Sequence, residues 1–78
     1  MSVGRHTDDF RVREYGRTEL ATLYCPDLAP ESAWRRLRRW MELFPGLMEK
    51  LHASGYHSHL RSFTPAQVRL IVEALGEP

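Results

Sequence analysis

The sequence predicts a small, mainly α-helical domain with four helices and one or two short strands. Its 78 residues, 42% of them hydrophobic, suit a single small domain. Apolar residues recur at helical spacing in four stretches, and prolines and glycines separate these stretches. Because a chain of this length buries only about 60 to 65% of its unfolded surface, we expect no deep enclosed pocket and no enzyme.

The N-terminal part of the chain is predicted to form a flexible lead followed by a strand. Residues 1–9, MSVGRHTDD, are polar and predict a flexible lead, so the single domain is predicted to span residues 10–78. The segment FRVREY, residues 10–15, alternates with period two, as a short half-exposed strand does, and Gly16 is expected to end it.

Two helices are predicted next, with a turn between them. Thr18 is the expected N-cap of the helix TELATLY, and Pro26 blocks its continuation. Pro30 suits the first position of the second helix, and Glu31 lies near its positive dipole end.

The second helix has the strongest periodicity in the sequence. It carries an apolar stripe that we expect to face the core, while arginines take the other faces. The stripe consists of Trp34, Leu37, Met41 and Phe44, with Trp40 on its flank. Of the two tryptophans, we expect Trp34 in the core, and Trp40 either in the core or as an interface anchor.

The third helix is predicted to begin at Pro45, within PGLMEKLHAS, and to stop at Gly55 in a left-handed conformation. A kinked continuation of the second helix is the alternative. The next segment, YHSHLRSF, predicts an exposed loop or a short strand around residues 57–62 that pairs with the first strand in a winged-helix-like arrangement.

The last helix has the clearest local signal. Thr64 is the expected N-cap, Pro65 takes the first helical position, and Gln67 is placed to close a capping box. The helix is predicted to bury Val68, Ile71, Val72 and Leu75 and to end at Gly76.

Charge is unevenly distributed, although the net charge is only +1. Four arginines against Glu31 give residues 31–40 a local charge of +3, and three against Glu14 give residues 11–17 a charge of +2. A short helix, a turn and an arginine-bearing helix form the skeleton of a helix-turn-helix, whose second helix enters the DNA major groove. We therefore expect DNA binding, with Arg35, Arg36, Arg38 and Arg39 as groove or phosphate contacts and Arg11, Arg13 and Arg61 as flanking phosphate contacts.

Other readings of the sequence point to different classes of protein. Arginines are also common on solvated helix faces, and a protein-interaction module could use Trp40, Phe44 and Tyr56 as contacts. We expect that one such DNA-binding domain would bind weakly alone, so a homodimer or a partner protein is an expected requirement.

No chemical site is expected. His57 and His59 would share a face on a strand, with Cys25 as a possible third ligand, but this is a weak metal signal, and no catalytic group, metal or cofactor is predicted. The sequence contains no run long enough for a membrane span and no apolar signal peptide, so a cytoplasmic protein is expected.

Two resemblances accompany these patterns. From Tyr15 onward, the pieces GRTELATLYCP, AWRRLRRW and RSFTPAQVRLIVEALGEP resemble an uncharacterised family of short stand-alone proteins from gut bacteria. More loosely, the sequence is similar to the DNA-binding domains of the MerR and excisionase group. That resemblance implies that Glu19 to Ala21 lie in the first helix, that Arg35 and Arg36 lie in the recognition helix, and that Phe63 to Ile71 form a later element.

Overall fold

The computed structural model describes residues 10–78, which form four helices and one two-stranded antiparallel sheet. This architecture confirms the predicted mainly α fold class with short strands. The predicted flexible lead, residues 1–9, lies outside the described residues. The elements are, in order, β1 (Tyr15–Gly16), α1 (Arg17–Tyr24), α2 (Pro30–Leu43), α3 (Leu47–Ala53), β2 (Ser62–Phe63) and α4 (Pro65–Leu75).

The sheet is shorter than the sequence predicts. Tyr15 pairs with Phe63 and Gly16 pairs with Ser62, and these two pairs form the whole β1–β2 ladder. The ring of Phe10 stacks on that of Tyr15 with centroids 5.6 Å apart. In an extended strand, Phe10 and Tyr15 would lie about 16 Å apart, too far for their rings to stack. Residues 10–15 therefore fold back and do not form the predicted strand. The second strand falls at the end of the predicted range, and because β1 and β2 come from distant parts of the chain, they do not form a hairpin.

Helix α1 begins earlier than predicted. Its N-cap is Gly16, and Thr18, the predicted N-cap, lies inside the first turn. The Gly16 N–H donates to Glu19 Oε1 over 3.1 Å, so the third helical residue satisfies the cap amide. The Arg17 N–H donates to the carbonyl oxygen of Arg61 over 2.8 Å, so the junction with β2 also determines where the helix starts. The helix ends at Tyr24, before Pro26, as predicted.

Helices α2 and α3 are separate. Pro30 occupies the first turn of α2, as predicted, and α2 ends at Leu43 with an extended Phe44 as its C-cap. Gly46 is the N-cap of α3 with φ of +81°, a left-handed conformation that a side chain would disfavour. Pro45 therefore lies in the connecting turn and not in the first turn of α3. Gly55, with φ of +99°, follows the end of α3 in the predicted left-handed conformation.

The core draws side chains from all four helices and both strands, and the aromatic rings that precede α4 pack against α2 within it. The ring of Phe63 lies 6.0 Å from that of Trp34 and 5.3 Å from that of Tyr56, measured between centroids. Leu37 and Met41 are also fully buried, so the predicted stripe of α2 is confirmed from Trp34 to Met41. Beyond Met41 the predicted stripe is wrong, since Phe44 is 41% exposed. Trp40, expected either in the core or as an interface anchor, is 37% exposed.

The start of α4 matches the predicted capping box. Thr64 Oγ1 accepts the Gln67 N–H over 3.2 Å, and Gln67 Oε1 accepts the Thr64 N–H over 3.0 Å. Gln67 Nε2 also donates to the carbonyl oxygen of Ser54 over 3.2 Å. One side chain therefore caps α4 and joins it to the end of α3. Val68 and Ile71 are fully buried, whereas Val72 and Leu75 are half-buried.

Candidate nucleic-acid interface

The four arginines of α2 are all exposed and share the outer side of the helix. An α-helix turns by about 100° per residue, so Arg36 and Arg38, two residues apart, are separated by an arc of about 160° when it is measured the shorter way around the helix. Arg35 and Arg39, one turn apart, lie within that arc and opposite the buried side of the helix. Folding therefore leaves the four predicted contacts on one half of the helix circumference.

One of these arginines is engaged within the protein. Arg38 Nε lies 3.2 Å from Glu42 Oε2, an (i, i+4) pair on the helix surface. Among residues 10–78, the other ion pair joins Arg13 to Glu19, and neither pair involves Arg35, Arg36 or Arg39. Three arginines of α2 are thus available to an external anion, and Glu42 partly neutralises the fourth.

Of the three predicted flanking arginines, Arg13 is engaged within the protein. Arg13 Nη2 lies 3.1 Å from Glu19 Oε2, and its guanidinium carbon lies 3.8 Å from the centroid of the Tyr15 ring. This ion pair is the first cause of a lowered pKa for the Glu19 carboxyl, and the bond from the Gly16 N–H is the second. Arg13 is therefore held against β1 and α1. Arg11 and Arg61 are exposed.

Arg17 is a basic residue that the sequence-based site missed. Its guanidinium carbon lies 5.1 Å from the Trp34 ring centroid, and its Nη1 donates to the carbonyl oxygens of Ser58 and Leu60 over 3.5 and 3.4 Å. Burial raises the pKa of the Tyr56 hydroxyl, while the positive charges of Arg17 and Arg38 lower it. Arg17 therefore places a positive charge beside Trp34 of α2. The sequence feature that could have pointed to Arg17 is the basic segment of residues 11–17. Arg17 is the last residue of this segment and the first residue of α1.

The other predicted functional residues have mixed outcomes. Trp34 is 5% exposed and lies in the core, as predicted, but Tyr56 is also 5% exposed and cannot contribute to an exposed contact. The predicted role for Tyr56 is wrong because its ring is enclosed between His52 and Phe63. The ring centroids of His57 and His59 are 6.0 Å apart.

Residues 10–78 contain neither a cluster of metal-binding side chains nor a helix that could span a membrane. No group of three or more histidine, cysteine or acidic side chains in residues 10–78 could hold a metal ion. No helix in this part of the chain is long and apolar enough to cross a membrane.

An open groove of about 720 Å³ lies beside α1, away from the α2 arginines. Its lining is mostly apolar and aromatic, and the Arg13–Glu19 pair supplies its charges. The lining residues are Phe10, Arg13, Tyr15, Glu19, Thr22, Leu23, Tyr24, Pro26 and Pro78.

Comparison with known protein families identifies the family of this chain. Residues 11–78 match the domain of unknown function DUF4248. The chain belongs to the DUF4248 family. This membership confirms the predicted resemblance to an uncharacterised family, and the DUF4248 match includes both α2 and the capping box of α4. No curated protein and no solved structure shows significant similarity to this DUF4248 chain.

Proposed function

We propose that this protein binds double-stranded DNA through the arginine face of α2, as a small regulator or accessory factor. The observation that carries the proposal is the exposure of four arginines on one arc of about 160° of a helix whose opposite side is buried in the core. The major groove is about 12 Å wide and admits a helix of about that diameter. In that orientation Arg35 and Arg39 would lie deepest in the groove and Arg36 and Arg38 nearer its two sides, and each arginine that is not paired within the protein would neutralise one phosphate.

The arrangement of α1 and α2 is consistent with a helix-turn-helix. The two helices are joined by residues 25–29, and Leu20 and Ala21 of α1 are fully buried in the same core as Leu37 of α2. In the helix-turn-helix mode the first helix braces the second across the DNA backbone. Arg17, at the start of α1, would be an additional phosphate contact. A DNA-binding role would require the cytoplasmic location that the sequence predicts.

The expected affinity is modest and depends on salt. With a slope of about −0.9 per phosphate contact, the three unpaired arginines predict that binding weakens about 40-fold between 50 and 200 mM salt. If Arg38 also contacts a phosphate, the expected weakening is about 150-fold. A net charge of +1 provides little long-range attraction, so contacts at short range have to supply the affinity.

A duplex titration followed by fluorescence anisotropy at 50 and 200 mM salt tests the proposal. We expect salt-sensitive binding by the native protein and its loss when Arg35, Arg36, Arg38 and Arg39 are all replaced by alanine. Arg69→Ala, which removes an exposed arginine from α4, is the matched control and should bind like the native protein. Unchanged affinity in the fourfold variant would refute the proposal.

A second titration uses the Arg38–Glu42 pair. Glu42→Gln releases Arg38, so we expect tighter binding and a steeper slope, from about −2.7 to about −3.6. Glu49→Gln removes the same charge from α3 and is the control. If both variants give the same slope, the gain is a general charge effect and α2 has no special role.

The second candidate function is a protein-interaction module without nucleic-acid binding. It is favoured by the exposure of large apolar side chains near the end of α2, namely Trp40, Leu43 and Phe44. Analytical ultracentrifugation with and without duplex DNA separates the two functions. A mass that depends on protein concentration but not on DNA would favour the interaction module.

A further inference from the structure

Leu43, the last residue of α2, is an apolar side chain that lies among the exposed arginines of this helix. It is 65% exposed, more than any other large apolar side chain in residues 10–78. Removing apolar surface of this kind from water is favourable. A ligand that covers Leu43 would therefore gain affinity from it.

Helical spacing places Leu43 inside the arginine arc of α2. At about 100° per residue, the seven residues from Arg36 to Leu43 make almost two full turns, so these two side chains are separated by only about 20° around the helix. Arg39, four residues before Leu43, lies about 40° away in the opposite direction. Leu43 thus projects between the lines of Arg36 and Arg39, from the surface that is proposed to face DNA.

The two other exposed apolar side chains near this end of α2 do not share that surface. Trp40 lies four residues after Arg36 and therefore about 40° beyond the edge of the arc, where its ring contacts Tyr24 of α1 edge-on. Phe44, the C-cap of α2, lines a small hollow together with residues of α4. Leu43 is therefore set apart from both of them by its position among the arginines.

The side chains of the arc divide into charged and uncharged ones. The arginines supply the proposed phosphate contacts, which position a protein on DNA without reading its sequence. Of the α2 residues that helical spacing places in the arc, only Ser32 and Leu43 are uncharged. Ser32 is half-buried, and a serine hydroxyl can bond to several bases. Leu43 is thus the side chain of the arc that is suited to prefer one base.

We propose that Leu43 contacts the C5 methyl group of thymine in the major groove, which gives α2 a base preference. This preference rests on the proposed DNA binding, which it extends. Among the four bases of DNA, thymine presents a methyl group on its major-groove edge, and apolar side chains pack against that group. Arg39 and Leu43 are about 6 Å apart along the helix axis, which is close to two base-pair steps, so both reach one short stretch of groove.

Uracil lacks only this methyl group, so a duplex of A·U pairs is the direct comparison for a duplex of A·T pairs. The A·T duplex presents thymines in every register, so no target sequence has to be known. The affinities are measured by fluorescence anisotropy at low salt. We expect the native protein to bind the A·T duplex about fourfold more tightly, which is the effect of burying one methyl group.

Two leucine variants assign this preference to a residue. Leu43→Gln should bind the two duplexes equally, whereas Leu23→Gln, which changes an exposed leucine of α1, should keep the native preference. Both side chains are exposed, and circular dichroism checks that both variants fold. All three proteins meet the same duplexes, so a difference in DNA shape affects them alike. Equal binding of both duplexes by the native protein, or a preference that survives in Leu43→Gln, overturns the contact.

A G·C duplex separates the methyl group from the A·T pair. 5-Methylcytosine carries a methyl group at the same ring position as thymine, so methylation of the cytosines should tighten native binding about fourfold and leave Leu43→Gln unaffected. No gain from methylation would show that the methyl group is not the contact. Failure of the proposed function looks different, because the native protein would then bind none of the four duplexes, or the fourfold arginine variant would bind them as well as the native protein does.

Discussion

Replacing Gln67 by alanine should destabilise the protein more than any change on the exposed side of α4. Gln67 is 2% exposed and is the one polar side chain buried among residues 10–78. Alanine removes the acceptor for the Thr64 N–H and the donor to the Ser54 carbonyl, while the backbone bond to Thr64 Oγ1 remains. Each lost hydrogen bond costs about 1 kcal/mol, and the lost methylene costs about 0.8 kcal/mol.

Water can reach Thr64 and Ser54, which are exposed, so the free energy of unfolding should fall by about 2 to 3 kcal/mol. For a domain of this size the whole stability is about 4 to 12 kcal/mol, and Tm should fall by about 10 to 20 °C. Urea unfolding followed by circular dichroism measures the change. Arg69→Ala, on the exposed side of the same helix, is the control and should lie within about 0.5 kcal/mol of the native protein. If Gln67→Ala unfolds at the same urea concentration as this control, the reasoning is refuted.

Three further predictions concern pH and backbone conformation. Burial, with a smaller effect of the Glu77 charge, raises the pKa of Tyr24 to about 12. Native stability should therefore fall as pH rises from about 10 towards 12, whereas Tyr24→Phe should lack this part of the loss in urea unfolding at about pH 8 and 11. Because the pKa of Glu19 is lowered, its contribution is present at neutral pH and lost on acidification, so acid unfolding of Glu19→Gln should show a shallower decline. Gly46→Ala should cost about 1 to 2 kcal/mol in urea unfolding because of its positive φ, whereas Gly16→Ala, at φ of −62°, should be nearly neutral.

The proposed DNA contacts include four arginines that the sequence predicted and one, Arg17, that it did not. Periodicity predicted that the four arginines would lie away from the core, because Trp34, Leu37 and Met41 must be buried, and the exposed arc of α2 agrees. The pairing of Arg38 with Glu42 is an (i, i+4) contact that the spacing alone could have suggested. Arg17 could not be found in this way, because its position over Trp34 requires α1 to be folded against α2.

The sequence by itself determined the starts, ends and caps of helices that depend only on residues close together in the chain. Pro26 ends α1, Pro30 begins α2, Gly55 follows α3, and Thr64 with Gln67 caps α4, because each effect needs only a few neighbouring residues.

Only the tertiary structure decided the features that depend on a partner element. Gly16, and not Thr18, is the N-cap of α1, because Gly16 pairs with β2 and its N–H donates a hydrogen bond to Glu19. Tyr56 is buried while Trp40 is 37% exposed, although the sequence suggested both as contacts of an interaction module. Burial depends on which surface another element covers, and periodicity identifies the face of a helix but not the neighbour that will cover it.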